Sequence, residues 1–355
     1  MPIATSFALK NTSIRIPARG LGTFQVDPSL YPEGSVKDSV LHALKVGYRH
    51  IDAALAYGWG SVERDIGAAI RASGVPREDV FVVTKLHNCF HAPEDVEVGM
   101  NMSLKNLGLA YVDLYLMHFP YAYTKGENYS TVRKLDGKQP VVDIELSRAF
   151  DTTWKAMENL VDQGKAKLIG VSNFSTPKLK RLLSVCRIFP VVNQVELNPY
   201  FPQKTLLRFC HEHEIHVTAY GPLGCTPVPY LIGRKTPGPL EDCTVSDQIL
   251  PGLSLPAINP PFNHSTQVKA MAERYSRTPA QIILAHLIML GVSVIPKSNN
   301  LSRISENFDC LVELSPEDHA ALGQLMGSNG EKAVRNLETK EYLGFDNFNE
   351  EFEEP

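Results

Sequence analysis

Eight short apolar runs recur along the 355 residues, and each of the first seven is followed by a segment of helical period. They occupy residues 16–23, 49–53, 80–85, 112–118, 167–172, 191–196, 216–220 and 292–297. Near-continuous apolar, β-branched runs suit parallel strands buried on both faces. Strict alternation of strand and helix gives a parallel sheet, and eight units point to a closed (β/α)8 TIM barrel rather than an open doubly wound sheet. Helix ends are readable: Ser35-Val36-Lys37-Asp38 has the form of a capping box, Gly47 follows the last turn, and Pro93, Pro177 and Pro279 sit at helix starts. The turn-like pair Lys10-Asn11 predicts a small N-terminal β-hairpin over 7–16, outside the barrel.

Three segments interrupt the rhythm: 120–147 after the fourth strand, 221–264 after the seventh, and the tail 327–355, which ends acidic. The expectation is a single barrel domain over 1–355, with 221–264 as an extended loop and 327–355 as a substrate loop and tail. Connections beyond about 15 residues in a compact domain are functional or disordered. Both readings stay open for these three, which as loops would crowd one face and build a pocket.

Composition mainly excludes. A net charge of −4 without a basic cluster leaves no nucleic-acid footprint. No stretch approaches the ~18 apolar residues of a membrane span. The start lacks the pattern of a signal peptide, so a cytoplasmic protein is expected, with the six cysteines as free thiols because none has CxxC spacing.

In a barrel of this kind reactive groups belong at the C-terminal ends of strands. The polar residues there are Asp52, Lys85, His118, Ser172-Asn173, Gln194, Tyr220 and Lys297-Ser298, with Tyr57 five residues beyond Asp52. A lone strand-end lysine is more often a solvated cap, and a lone histidine beside an aromatic more often structural; their convergence on one rim is harder to dismiss. Other chemistries lack their signatures. No Gly-x-Ser-x-Gly elbow occurs, His211-Glu212-His213 has the wrong spacing for one helix face, and Gly20-Leu21-Gly22-Thr23-Phe24-Gln25 lacks the third glycine of a dinucleotide fingerprint. No metal site is expected. A Tyr–Lys–Asp–His set suits proton donation to a developing alkoxide. Free tyrosine titrates near ~10, a lysine ammonium beside it would lower that value, and an aspartate would keep the lysine charged. Such a donor contributes roughly 10²–10⁴-fold, and the matching hydride must come from a cofactor.

These strings resemble the aldo-keto reductase superfamily, in its aldose and xylose reductase-like branch. The resemblance runs from Gly20-Leu21-Gly22-Thr23-Phe24 through Gly47-Tyr48-Arg49-His50-Ile51-Asp52, Thr84-Lys85, Leu116-Met117-His118-Phe119-Pro120 and Gly170-Val171-Ser172-Asn173-Phe174. It continues through Asn193-Gln194-Val195-Glu196, Thr218-Ala219-Tyr220-Gly221-Pro222-Leu223-Gly224 and Ile295-Pro296-Lys297-Ser298, to Arg303 and Glu306-Asn307. It implies reduction of an aldehyde or ketone to an alcohol by a barrel that holds NADPH without a Rossmann domain, with NADH as a secondary cofactor. Tyr57 would be the general acid, Lys85 would lower its pKa, Asp52 would pair with Lys85, and His118 would orient the carbonyl. Ser172, Asn173 and Gln194 would hold the carboxamide, Tyr220 would stack on the nicotinamide, and Lys297, Ser298 and Arg303 would grip the 2′-phosphate. Thr23, Phe24, Asp52, Gly221, Leu223, Glu306 and Asn307 complete the implied cofactor set; Phe24, Tyr57, His118 and Phe119 are the implied substrate wall.

The chain also departs from that pattern. Gly58-Trp59-Gly60 reads as a short insertion after Tyr57, Phe24 and Phe119 stand where many relatives carry Trp, and 221–264 is long. Lys297-Ser298-Asn299 resembles the stretch of sugar reductases, so an open-chain sugar joins bulky metabolites among the candidate substrates. Non-enzymatic members of the superfamily, channel β subunits and lens crystallins, are the competing class; the intact tetrad and phosphate grip favour an enzyme. A monomer or homodimer is expected.

Overall fold

The computed structural model describes residues 3–25, 32–135, 137, 139–224, 266–325, Arg335, Leu343 and Asn347. An antiparallel hairpin comes first, β1 (Ser6–Ala8) against β2 (Arg15–Pro17), with Phe7 opposite Ile16. The barrel follows as β3 (Leu21–Gly22), α1 (Ser35–Val46), β4 (His50–Asp52), α2 (Ser61–Ser73), β5 (Phe81–Leu86), α3 (Pro93–Leu107) and β6 (Val112–Met117). An excursion then adds the ribbon β7 (Ala122–Tyr123) and β8 (Val142–Asp143) with the short α4 (Ile144–Arg148). The barrel resumes with α5 (Phe150–Asp162), β9 (Ala166–Ser172), α6 (Thr176–Val185), β10 (Val192–Glu196), α7 (Lys204–Glu212) and β11 (His216–Tyr220). It ends with α8 (Thr266–Tyr275), α9 (Pro279–Met289), β12 (Ser293–Val294), α10 (Leu301–Phe308) and α11 (Pro316–Leu322).

Eight strands form one parallel sheet in the order β12-β11-β10-β9-β6-β5-β4-β3. The sheet closes on itself, because Gly20 N donates to Val294 O (2.8 Å) and Gly22 N to Pro296 O (3.1 Å). The expected (β/α)8 barrel with its N-terminal hairpin is what the chain forms. Every residue of β5 and β6 is buried, as parallel strands packed on both faces require.

Strand alternation then decides what faces the barrel axis. Phe81 and Val83 of β5, Leu114 and Leu116 of β6, Leu168 of β9 and Val192 of β10 pack as one cluster with Leu9 and Ile16 of the hairpin. The hairpin therefore plugs the N-terminal end. Continuing each alternation by two residues, or by four from Leu168, brings Lys85, His118, Gln194 and Ser172 to the opposite end, so one register sets both plug and rim.

Three details differ from expectation. Residues 15–17 belong to the hairpin, leaving a shorter first barrel strand than 16–23. The last strand does carry a helix, α10. Ser35 is the first helical residue rather than a cap: Gly34 occupies the cap position at φ 75° without a side-chain bond. The reciprocal capping box lies instead at Thr278 and Gln281, before α9. Pro93, Pro177 and Pro279 do open their helices. Among the described residues Cys89, Cys186, Cys210 and Cys310 are free thiols; Cys225 and Cys243 lie outside them. No described helix is long and apolar enough to cross a membrane.

Of the three interruptions, the described residues of 120–147 form an ordered excursion over the C-terminal face. Asn88 Nδ2 donates to Tyr121 O (2.7 Å), Phe90 stacks on Tyr129 (centroids 4.4 Å apart), and Lys125 pairs with Asp95. Beyond Gly224 the segment 221–264 lies outside the described residues, as does nearly all of 327–355.

Candidate active site

At the C-terminal rim Lys85 Nζ is fully buried and makes three contacts. It donates to Asp52 Oδ1 (2.6 Å), to Ala53 O (2.8 Å) and to Tyr57 Oη (3.2 Å). Gln194 Nε2 donates to the other Asp52 oxygen (2.7 Å), and Thr23 Oγ1 to Asp52 O (2.7 Å). The Tyr57 and His118 rings meet edge to face at 5.9 Å. The four residues of the expected tetrad thus meet in one buried cluster, drawn from β4, the turn after it, β5 and the end of β6.

Its electrostatics depart from one expectation. Burial pushes the Tyr57 phenol well above its usual value, and the nearby Asp52 carboxylate pushes the same way. Lys85 was expected to lower it. Desolvation of the phenolate is the first cause of that rise, and the ammonium at 3.2 Å does not reverse it at rest. Burial also lowers the Lys85 pKa, with Asp52 opposing. His118 is held well below its ordinary value, first by burial and then by Lys85, His87 and His91, so its ring is neutral near pH 7. Its Nδ1 is buried without a partner.

A second linked set lies beside the first. Ser172 Oγ donates to Gln194 O (2.8 Å), and Asn173 Nδ2 donates to His118 O (3.0 Å) and Ser172 Oγ (3.2 Å). Tyr220 OH donates to Asn173 Oδ1 (2.7 Å), and Asn173 itself is left-handed at φ 62°. Further round the rim, Ser298 Oγ accepts from Asn300 N (3.0 Å), and Asn300 Oδ1 caps α10 by accepting from Arg303 N (3.2 Å). Lys297 bridges to Gly22 across the barrel seam, next to Thr23 and Phe24. Asn307 is buried, Glu306 Oε1 accepts from Ser302 Oγ (3.1 Å), and Gly221 and Leu223 begin the turn that closes at Gly224.

The wall beside Tyr57 is a continuous arc of rings. Phe24 meets Tyr57 at 5.1 Å; His118, Phe119, Tyr121 and Tyr123 follow at successive separations of 5.1, 5.0 and 5.7 Å. Tyr123 reaches His87 at 6.2 Å, and His87 meets Trp59 edge to face at 5.0 Å, returning the arc to within two residues of Tyr57. His87, Tyr121 and Tyr123 were not anticipated. The signals were present as period-2 continuations: Phe81, Val83, Lys85, His87 on one strand face, and Phe119, Tyr121, Tyr123 in the excursion.

The insertion after Tyr57 is a tight left-handed turn. Gly58 (φ 57°), Trp59 (φ 50°) and Gly60 (φ 84°) all have positive φ. For a bulky residue such as Trp59 this costs ~1–2 kcal/mol, which the surroundings must offset. A Cβ at Gly60 would come within 2.2 Å of Asn106 Nδ2, so glycine is required there. Asn106 is itself held by Glu63 Oε2 (3.0 Å), whose other oxygen accepts from Thr84 Oγ1 (2.7 Å).

This geometry has known counterparts. The profile of the Aldo/keto reductase family matches residues 20–326. Aldo-keto reductase family 1 member A1 of Mus musculus is 38% identical over 329 residues, covering 91% of this chain and 90% of its own. Glycerol 2-dehydrogenase (NADP(+)) of Hypocrea jecorina is 37% identical over 337 residues, covering 94% and 95%. The aldose reductase structure from Schistosoma japonicum superposes with a TM-score of 0.77 at 30% identity, covering 99% of this chain and 100% of that one. A closed eight-stranded barrel, a lysine-centred cluster on its C-terminal rim and a profile match across nearly all of that barrel have one reading: this chain belongs to the aldo/keto reductase family.

Proposed function

We propose that the protein reduces an aldehyde or ketone to the alcohol with NADPH, and that Tyr57 donates the proton. The observation that carries this reading is the Lys85 ammonium, buried and shared between Asp52 and Tyr57 Oη. The residues at the α10 end of the rim fit a phosphorylated dinucleotide: a lysine on the closing strand, a serine, and an arginine in the first turn of a helix are a donor set suited to a phosphate monoester. Lys297, Ser298 and Arg303 would hold the 2′-phosphate, while Ser172, Asn173 and Gln194 would hold the carboxamide beside the Tyr220 ring. When bound, the reduced nicotinamide supplies a hydride to the carbonyl carbon.

The chain's own groups complete the balance. Tyr57 keeps its proton at rest, because burial makes the phenolate costly. As negative charge develops on the carbonyl oxygen, the proton passes to it from Tyr57 Oη. Lys85 Nζ, already donating to Oη at 3.2 Å, stabilises the phenolate left behind. The neutral His118 ring retains one N–H to orient the carbonyl oxygen. The glycerol 2-dehydrogenase (NADP(+)) of Hypocrea jecorina supports NADPH as the cofactor; NADH would be a secondary one.

The test is loss of NADPH absorbance with a panel of aldehydes and ketones. Turnover of at least one is expected; cofactor binding without turnover of any would overturn the reading in favour of a binding protein.

A further inference from the structure

We propose that Trp59 is a specificity-determining residue, stacking on the distal part of a flat aromatic aldehyde or ketone; the inference rests on the carbonyl-reductase reading above. Trp59 follows Tyr57 by two residues in the chain, and its indole joins the arc of rings beside the proton donor through His87. It is 41% exposed, whereas its neighbours His87 and Phe90 are buried. Three consecutive left-handed residues turn the indole outward, and helix α2 begins directly after them. Gly60 holds the end of that turn at φ 84°, a conformation that L side chains rarely adopt.

An indole fixed in this way fits the chemistry of the wall it completes. Its edge-on contact with His87 and near-parallel contact with Phe90 (28°) support the ring from behind and leave its outer face in water. Phe24, 38% exposed, stands at the other side of Tyr57. Two exposed rings thus stand at the ends of the arc that contains the donor, and an exposed apolar face gains by covering itself with another ring. A polyhydroxylated chain would instead need matched hydrogen bonds; His87 Nδ1 is already accepting from Cys89 N (3.2 Å). The insertion therefore favours a flat, apolar tail over an open-chain sugar.

The experiment compares 4-nitrobenzaldehyde with propanal on the NADPH-saturated protein and on the variants Trp59→Ala and Trp59→Phe. The ratio of kcat/KM for the two aldehydes should fall about tenfold in Trp59→Ala, or ~1.4 kcal/mol, chiefly through KM for the aromatic substrate. Trp59→Phe should recover most of it. A ratio within twofold of the parent in both variants would overturn the proposal, whatever happens to stability. A second readout does not need turnover. The chain has two tryptophans, and Trp154 is fully buried, so quenchable indole emission reports on Trp59. Titrating 4-nitrobenzyl alcohol into the NADP+-saturated protein should quench it saturably, and Trp59→Phe should abolish the effect; absence of saturable quenching in the parent counts against the contact. If the parent reduces neither aldehyde nor any carbonyl of the wider panel, the reductase reading fails, and the titration alone then decides for or against Trp59.

Discussion

Gln194 and Asp52 lie 142 positions apart and share a hydrogen bond of 2.7 Å, which holds one carboxylate oxygen while Lys85 takes the other. The carboxylate thus ties β4 to β10 across the barrel and anchors the lysine. Asp52→Asn should leave a buried ammonium without its counter-charge, and losing one partner of such a pair costs ~3–5 kcal/mol. Urea denaturation measures this. The double variant Asp52→Leu with Lys85→Met should recover much of the loss, because no unpaired charge remains; equal instability of the single and double variants would contradict the account.

Tyr57→Phe removes the phenol and keeps the ring that packs against Phe24 and His118. Reduction should fall by roughly 10²–10⁴-fold. NADPH affinity, followed by fluorescence, should change by less than threefold. A parallel collapse of binding and melting temperature would instead mean that the hydroxyl is structural.

Arg303→Ala tests the phosphate grip. Losing one charge-assisted hydrogen bond of ~1.5–3 kcal/mol should weaken NADPH by about 10- to 100-fold. NADH, which lacks the 2′-phosphate, should be affected far less. Equal weakening of both would remove Arg303 from that role.

Acid should destabilise the fold through its buried histidines. Burial holds His50 and His87 down to about 4, and His91 and His286 down to about 3. In the unfolded chain each takes a proton near ~6.5. Between those values the unfolded state binds more protons, so stability is complete above about pH 6.5 and declines as the pH falls toward 4. Each histidine contributes a slope of about 1.4 kcal/mol per pH unit in that window. Urea midpoints measured at about pH 7.5, 5.5 and 4.5 should therefore step downward. A constant midpoint would mean that these rings are not held neutral.

Much of this was legible because strand period and barrel topology are coupled. Once the apolar runs were read as parallel strands, Asp52, Lys85, His118 and Gln194 had to share one rim, and they do. The excursion over 120–147 was less readable, since its pairing of Ala122 with Asp143 depends on contacts twenty residues apart and not on local propensity. The balance at Tyr57 was hidden for another reason. Sequence identifies a lysine beside a phenol, but which influence dominates depends on depth of burial and on where Asp52 points. The capping of α1 failed similarly: Ser35 has the right chemistry, yet Gly34 takes the left-handed entry one residue earlier.

The seam between the first and last barrel strands also sets an order of events. Gly22 N reaches Pro296 O, so the residues beside Thr23 and Phe24 acquire their lateral support only from a strand more than 270 positions later. A ribosome must release nearly the whole chain before the rim can close, and until then Leu21 of β3 stands on an open sheet edge. Contacts of such long sequence separation are slow to form. Folding of this chain should therefore wait on its C-terminal third, and nascent chains cut short of β12 should depend on chaperones and be unable to retain a dinucleotide.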